Sequence, residues 1–309
     1  MKQRQKRYYR FSSYLRGRFG TRVYKISIDA GFSCPNKNGT LSSDGCIFCD
    51  NRAFSYNTRI DKPRPIQTQI EEGMDFGRLR YGAEKFIIYF QAYTNTYAPL
   101  NILKERYDTV KNFKDIVGIS IGTRPDCVNE EILDLIENYS KDYEVWIEYG
   151  LQSINENSLK LINRNHTYQD FLKAYDLTKK RNIKVCAHVI IGLLEEGRNE
   201  IIKTAKEMGR IKLDGIKIHP LYIIKGTKLD ELFRADLHKP LELDKFVELA
   251  IEFLKYLSPE TIIQRITADC PREFLAAPSW ILKKNLVLTT IAKKLIEQDL
   301  FQGMLYNKR

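Results

Sequence analysis

The chain has 309 residues, 43% of them hydrophobic, with 50 Lys and Arg against 39 Asp and Glu and a net charge of +11. That apolar share belongs to a globular protein with a core, and its longest apolar stretch, Val185 to Leu194 with His188 inside it, is too short to span a membrane. Six cysteines and no secretory leader argue against a disulfide-framed secreted scaffold and lead us to expect a soluble, cytoplasmic protein.

Residues 1–22 form a basic, aromatic arm: no acidic residue precedes Asp29, and Tyr8, Tyr9, Phe11, Tyr14 and Phe19 interleave with Lys and Arg from Lys2 onward. Basic side chains neutralise phosphates and aromatics stack on bases, so the arm reads as a nucleic-acid contact; the alternative is a solvated arm whose aromatics dock it onto the fold. The tail adds Lys283, Lys284, Lys293, Lys294, Lys308 and Arg309.

Apolar, β-rich runs predict strands at 23–29, 85–91, 116–123, 144–152, 183–192 and 215–224. Between them, Ile132, Leu133, Ile136 and Tyr139 mark one helical stripe, and Ile201, Ala205, Met208 and Ile211 mark another. The βα rhythm predicts the α/β class, with a partial (β/α)6 TIM-like barrel over residues 23–225. Residues 61–65, with two prolines, read as a loop. Beyond 225 the rhythm weakens, and a helix at 242–257, a strand at 261–269 and a basic terminal helix predict a small C-terminal α/β extension over 226–309.

Parallel sheets place ligand chemistry at the carboxyl ends of their strands. The loop directly after the first predicted strand contains Cys34, Cys46 and Cys49, the last two bracketing Ile47 and Phe48, with a Gly-, Asn- and Ser-rich segment back to Cys34. Three thiolates on a four-iron, four-sulfur cluster leave one iron open to a substrate or cofactor. A zinc site needs a fourth ligand, which no nearby Cys or His supplies but which the fold can bring from afar, so a zinc-stabilised RNA-binding module stays open. Inert buried thiols fit poorly with so polar a loop. Cys127, Cys186 and Cys270 show no ligand spacing and predict no second cluster.

The cysteine loop, together with Asp29-Ala-Gly-Phe-Ser-Cys-Pro-Asn, Gln91-Ala-Tyr-Thr-Asn-Thr-Tyr, Gly122-Thr-Arg-Pro-Asp, Glu148-Tyr-Gly-Leu-Gln-Ser, Asn163-Arg-Asn-His-Thr and His188-Val-Ile-Ile-Gly-Leu, resembles the radical S-adenosylmethionine (SAM) superfamily. The resemblance runs over nearly the whole chain and is to the branch with the Elongator catalytic subunit and oxygen-independent coproporphyrinogen oxidase, most closely its YtqA, or MnmL, subgroup. It implies a partial barrel of the radical SAM type, with a [4Fe-4S] cluster on Cys34, Cys46 and Cys49 and SAM chelated to the open iron. Superfamily members carry a Gly-rich turn after the second strand against the methionine amino group. Here that place reads Gln91-Ala92-Tyr93-Thr94, so Thr94 and the Tyr93 backbone, with Gln91 beside them, are the candidates for that contact. Gln152 and Arg164 match the cofactor-binding Gln and Arg of the coproporphyrinogen oxidases, with Arg164 suited to fork onto the methionine carboxylate. His188 stands where those relatives have an Asp that helps hold the cofactor, and is a candidate for that contact; otherwise it is a satisfied core or wall residue. Glu148, at a strand's end, is a candidate for the ribose hydroxyls, and Arg124 with Asp126 for the mouth, unless each is an ion pair.

The subgroup resemblance implies a tRNA-modifying enzyme that converts the wobble uridine's carboxymethylaminomethyl group to aminomethyl. It would act at the anticodon loop, with flavodoxin or ferredoxin as electron donor and no membrane partner. A deoxyadenosyl radical would abstract hydrogen from the methylene between nitrogen and carboxylate, and oxidation and hydrolysis would release the two-carbon fragment. Arg124 or Arg265 would pair with the substrate carboxylate. The rival is the same chemistry on a small molecule or protein. Too few residues follow 225 for an Elongator-type acetyltransferase domain, so acetyl-coenzyme A is not expected.

Overall fold

Each of the six predicted runs forms a strand: β1 (Val23–Ile28), β2 (Lys85–Phe90), β3 (Ile116–Thr123), β4 (Glu144–Gln152), β5 (Lys184–Ile191) and β6 (Gly215–Pro220). The structure is a computed structural model that describes residues 7–59 and 64–307. Lys2, Arg4 and Lys6 of the arm, most of the predicted loop 61–65, and Lys308 and Arg309 lie outside the described residues.

Two boundaries differ from the sequence reading. The run predicted at 215–224 stops as a strand at Pro220; after it β7 (Ile223–Ile224) pairs antiparallel with β9 (Leu275–Ala277). The strand predicted at 261–269 is shorter, β8 (Ile262–Arg265), and pairs parallel with β6. The sheet therefore has seven parallel strands, not six, in the order β1-β2-β3-β4-β5-β6-β8, curled into a half-barrel.

Alternation along the strands sorts the side chains. Ile26, Phe86, Ile88, Ile121, Ile147, Val185, Val189 and Ile218 join the main apolar core. Helices supply its other half: Leu133 and Ile136 from Glu130–Glu137, Ile201, Ala205 and Met208 from Arg198–Arg210, and Phe246, Ala250, Phe253 and Leu254 from Leu243–Tyr256. The intervening positions, among them Ser27, Tyr89, Glu148, His188 and Lys217, line the concave face. Among the described residues no helix is long and apolar enough to cross a membrane.

Tyr8, Phe11 and Tyr14 of the arm dock onto the barrel, while Tyr9 stays exposed. Ile263 N donates to Tyr9 O at 2.8 Å, so the chain at Tyr9 and Arg10 runs along the edge of β8. The helix Phe11–Phe19 then crosses the amino ends of the strands. Phe11 and Tyr14 meet Trp146 edge-on at 5.9 and 6.2 Å, and Tyr14 Oη donates to Glu144 Oε2 at 2.7 Å. These rings close the base of the barrel, opposite the end from which the cysteine loop leaves β1.

Candidate active site

At the carboxyl ends of the strands the loops surround a cavity of about 670 Å³. It is lined by Cys34, Cys46, Cys49, Gln91, Tyr93, Thr94, Arg124, Glu148, Gln152, Arg164, His188 and Arg265. Of the predicted site residues, Asp126 alone is not in its wall.

The cysteine loop is held by the Asn163-Arg-Asn-His segment. Asn36, fully buried, donates from Nδ2 to Cys46 Sγ at 3.5 Å and to Asn163 O at 2.7 Å, and its Oδ1 accepts from Asn165 Nδ2 at 2.6 Å. Asn163 Nδ2 donates to Gly45 O at 2.7 Å. Both Asn163 and Asn165 take left-handed φ values, 52° and 53°, which asparagine tolerates better than most residues. Arg164 Nη1 donates to Cys46 Sγ at 3.5 Å and Nη2 to Gly150 O at 2.7 Å. A Cβ at position 150 would lie 2.6 Å from Arg164 Nη2, so a larger residue there would push the guanidinium off Gly150 O. His166 Nε2 accepts from Arg164 Nε at 2.8 Å; burial, then the charges of Arg164 and Arg124, push its pKa down to about 2, so the ring is a neutral acceptor.

Arg124 is not a free arginine at the mouth. It is 2% exposed, forks onto Asp126 through Nε and Nη2 at 2.8 Å each, and donates to Arg164 O at 2.9 Å and Asn165 O at 3.0 Å. Its donors are spent on fixing the cysteine clamp, and Asp126 is its counterion. Gln91 is likewise committed, with Nε2 donating to Phe54 O at 2.7 Å and Oε1 accepting from Ser27 Oγ at 3.2 Å. Tyr93, at φ 64°, donates its N–H to Asn51 Oδ1 at 3.2 Å, while buried Thr94 bonds through its backbone to Ser33 O at 3.1 Å.

Glu148 corrects another expectation. It lies in the middle of β4, not at its end, 1% exposed on the floor of the cavity. Oε1 accepts from Lys25 Nζ and from Ser120 Oγ at 2.5 Å; Oε2 accepts from Lys217 Nζ and from His188 Nε2 at 2.7 Å. Four donors fill the carboxylate and leave no lone pair for a ribose hydroxyl. Burial opposes its charge, but Lys217 and Lys25 outweigh burial and hold the carboxyl well below its usual range. Burial, then Lys217, pushes His188 down to about 4, so its imidazole is neutral at pH 7 despite Glu148. His219 is also neutral, with its pKa lowered by burial and by His188; Nδ1 donates to Thr267 O at 3.1 Å.

Sequence reasoning missed Asn36, His166, Lys25, Lys217 and His219. The legible signal for the floor was charge inside apolar strands, because Lys25, Glu148 and Lys217 interrupt runs that otherwise read as buried.

The family model described as Radical SAM superfamily matches residues 40–208, and the Radical_SAM C-terminal domain matches 213–297. The chain belongs to the radical SAM superfamily. Its radical SAM relatives include YtqA of Bacillus subtilis, 36% identical over 304 residues, which cover 98% of this chain and 94% of that one. Elongator complex protein 3 of Saccharomyces cerevisiae is 32% identical over 158 residues, or 50% of this chain and 28% of that one. Among solved structures, Methanocaldococcus infernus Elp3 superimposes with a TM-score of 0.66 at 19% identity, over 91% of this chain and 64% of that one.

A radical SAM enzyme uses a [4Fe-4S] cluster and SAM, and the residues present fit both. Three thiols face one cavity, and Asn36 and Arg164 aim N–H groups at the Cys46 sulfur, which suits a cluster thiolate. Burial, then the Cys46 thiol, pushes the Cys49 thiol up to about 12, a penalty that a bound cation removes. With the family shown, the zinc-module reading is set aside.

Proposed function

We propose that this radical SAM enzyme acts on the wobble uridine of tRNA and converts its carboxymethylaminomethyl group to aminomethyl. Cys34, Cys46 and Cys49 hold the cluster, and Tyr93, Thr94, Gln152 and Arg164 border the SAM site. When bound, the cluster and SAM supply a deoxyadenosyl radical that takes a hydrogen atom from the substrate methylene next to the carboxylate. Loss of one electron to a one-electron acceptor then leaves an iminium carbon. Water adds to it, the carbon–nitrogen bond breaks, and the aminomethyl group and glyoxylate remain. The proton of that water leaves to solvent.

One observation carries the RNA reading: a basic, aromatic rim stands at the mouth of the cavity that holds the three cysteines. Tyr56 is 65% exposed there, with the Arg59 guanidinium 6.0 Å from its ring. Arg59 and Arg52 also lie 5.5 and 5.7 Å from the ring of Phe274. Such a rim suits an unpaired base splayed from an anticodon loop. The likeness to Elongator complex protein 3 over half of this chain agrees with it.

Incubating the reconstituted enzyme anaerobically with SAM, flavodoxin or ferredoxin as reductant, and tRNA carrying carboxymethylaminomethyluridine tests the reading by nucleoside mass analysis. Aminomethyluridine together with glyoxylate is expected. An unchanged nucleoside, with SAM still cleaved, would direct the search to a small-molecule or protein substrate.

A further inference from the structure

The floor of the cavity carries an unmatched charge. Two ammoniums, Lys25 and Lys217, share the single carboxylate of Glu148, and their Nζ atoms stand 4.1 and 4.2 Å from the centre of one ring, Tyr89. The neighbouring imidazoles of His188 and His219 are neutral and add nothing. The sum is one excess positive charge in a place where Glu148 is 1% and Lys217 8% exposed. An uncompensated buried charge costs several kcal/mol, so such an arrangement is relieved by a second anion.

The two lysines are not equivalent. Lys25 Nζ also donates to Gln264 Oε1 at 3.3 Å and does not line the cavity. Lys217 lines the cavity, and among the described residues Glu148 is the one oxygen acceptor of its three protons. We infer that the substrate carries a monoanionic carboxylate and that Lys217 Nζ binds it, completing a site of two cations and two anions. A phosphate dianion would overshoot the charge by one. This assignment rests on the reading of the cavity as the substrate pocket, and it moves the carboxylate contact from Arg124, whose donors are spent, and from Arg265, which lines the cavity but pairs with Asp269, to the floor.

The test titrates two nucleosides, 5-carboxymethylaminomethyluridine and 5-aminomethyluridine, into cluster- and SAM-loaded protein without reductant. Hydrogen bonds to charged groups contribute about 1.5–3 kcal/mol, so the carboxylate nucleoside should bind at least about tenfold more tightly. Lys217→Met should erase that preference, by weakening the carboxylate nucleoside and relieving the repulsion of the aminomethyl cation, while Lys217→Arg should keep most of it. Because Lys217→Met leaves the Lys25–Glu148 pair neutral, it is expected to fold, and thermal unfolding of both variants checks this. No preference in the wild type, or a preference that survives Lys217→Met, overturns the inference. A Lys217-dependent preference without conversion of the tRNA would uphold this site and overturn the wobble-uridine reading. Conversion by Lys217→Met with an unchanged KM would do the reverse.

Discussion

His188 Nε2 donates to Glu148 Oε2 at 2.7 Å, so the carboxylate expected at the ribose is taken by the imidazole beside it. Glu148 is the negative centre of the cavity floor, and without it Lys25 and Lys217 face each other unpaired. Glu148→Gln should therefore lower stability by about 3 kcal/mol, read by thermal or urea unfolding of the cluster-free protein. SAM affinity per folded molecule should be unchanged. An unaltered unfolding midpoint with lost SAM binding would make Glu148 a cofactor ligand after all.

Arg124 ties Asp126 to the carbonyls of Arg164 and Asn165, and through them to the loop that carries Cys46. Arg124→Met should destabilise the protein by about 3 kcal/mol and lower the iron retained after reconstitution. Normal stability and iron with a raised substrate KM would instead describe an arginine that meets the substrate.

The two basic, aromatic regions should separate cleanly. Phe11→Ala with Tyr14→Ala opens the barrel base and should cost about 2–4 kcal/mol of stability with no change in RNA affinity. Arg59→Ala at the rim should weaken RNA binding and reduce the slope of log K against log salt by about 0.7–0.9. RNA affinity that depends on Phe11 and Tyr14 but not on Arg59 would return the contact to the arm.

Lys217 is faced by Lys25, Tyr89, Glu148, Cys186, His188 and His219, and burial, opposed by Glu148, brings its pKa down to about 8. Above that pH the free enzyme's lysine is neutral, so affinity for the carboxylate nucleoside should fall as pH rises through about 8. The same shift has a stability sign. Between about 8 and the ordinary value of 10.5 the unfolded chain holds more protons, so Lys217 makes stability rise with pH in that window. A flat binding profile from pH 7 to 9.5 would contradict this.

Much of the architecture was legible because parallel strands buried on one face write it plainly: β3 and β4 start and stop where their apolar runs do. The seventh strand was misplaced because Ile262–Arg265 follows a helix-rich stretch and its partner β6 is visible in the fold alone. Cys34, Cys46 and Cys49 were legible from spacing, and the structure brings them to one cavity. Arg124, Gln91 and Glu148 were not, since a sequence shows that a polar group is present but not whether a neighbour has already taken its hydrogen bonds. Lys25 and Lys217 come from strands far apart in the chain, and the curl of the sheet puts them on one carboxylate.

The central claim is tested most directly by deoxyadenosine formation in anaerobically reconstituted protein given reductant and SAM, with and without tRNA that bears carboxymethylaminomethyluridine. We expect formation that requires Cys34, Cys46 and Cys49 and rises with that tRNA. Deoxyadenosine that forms unaffected by it, or none from protein with a full cluster, would contradict the account.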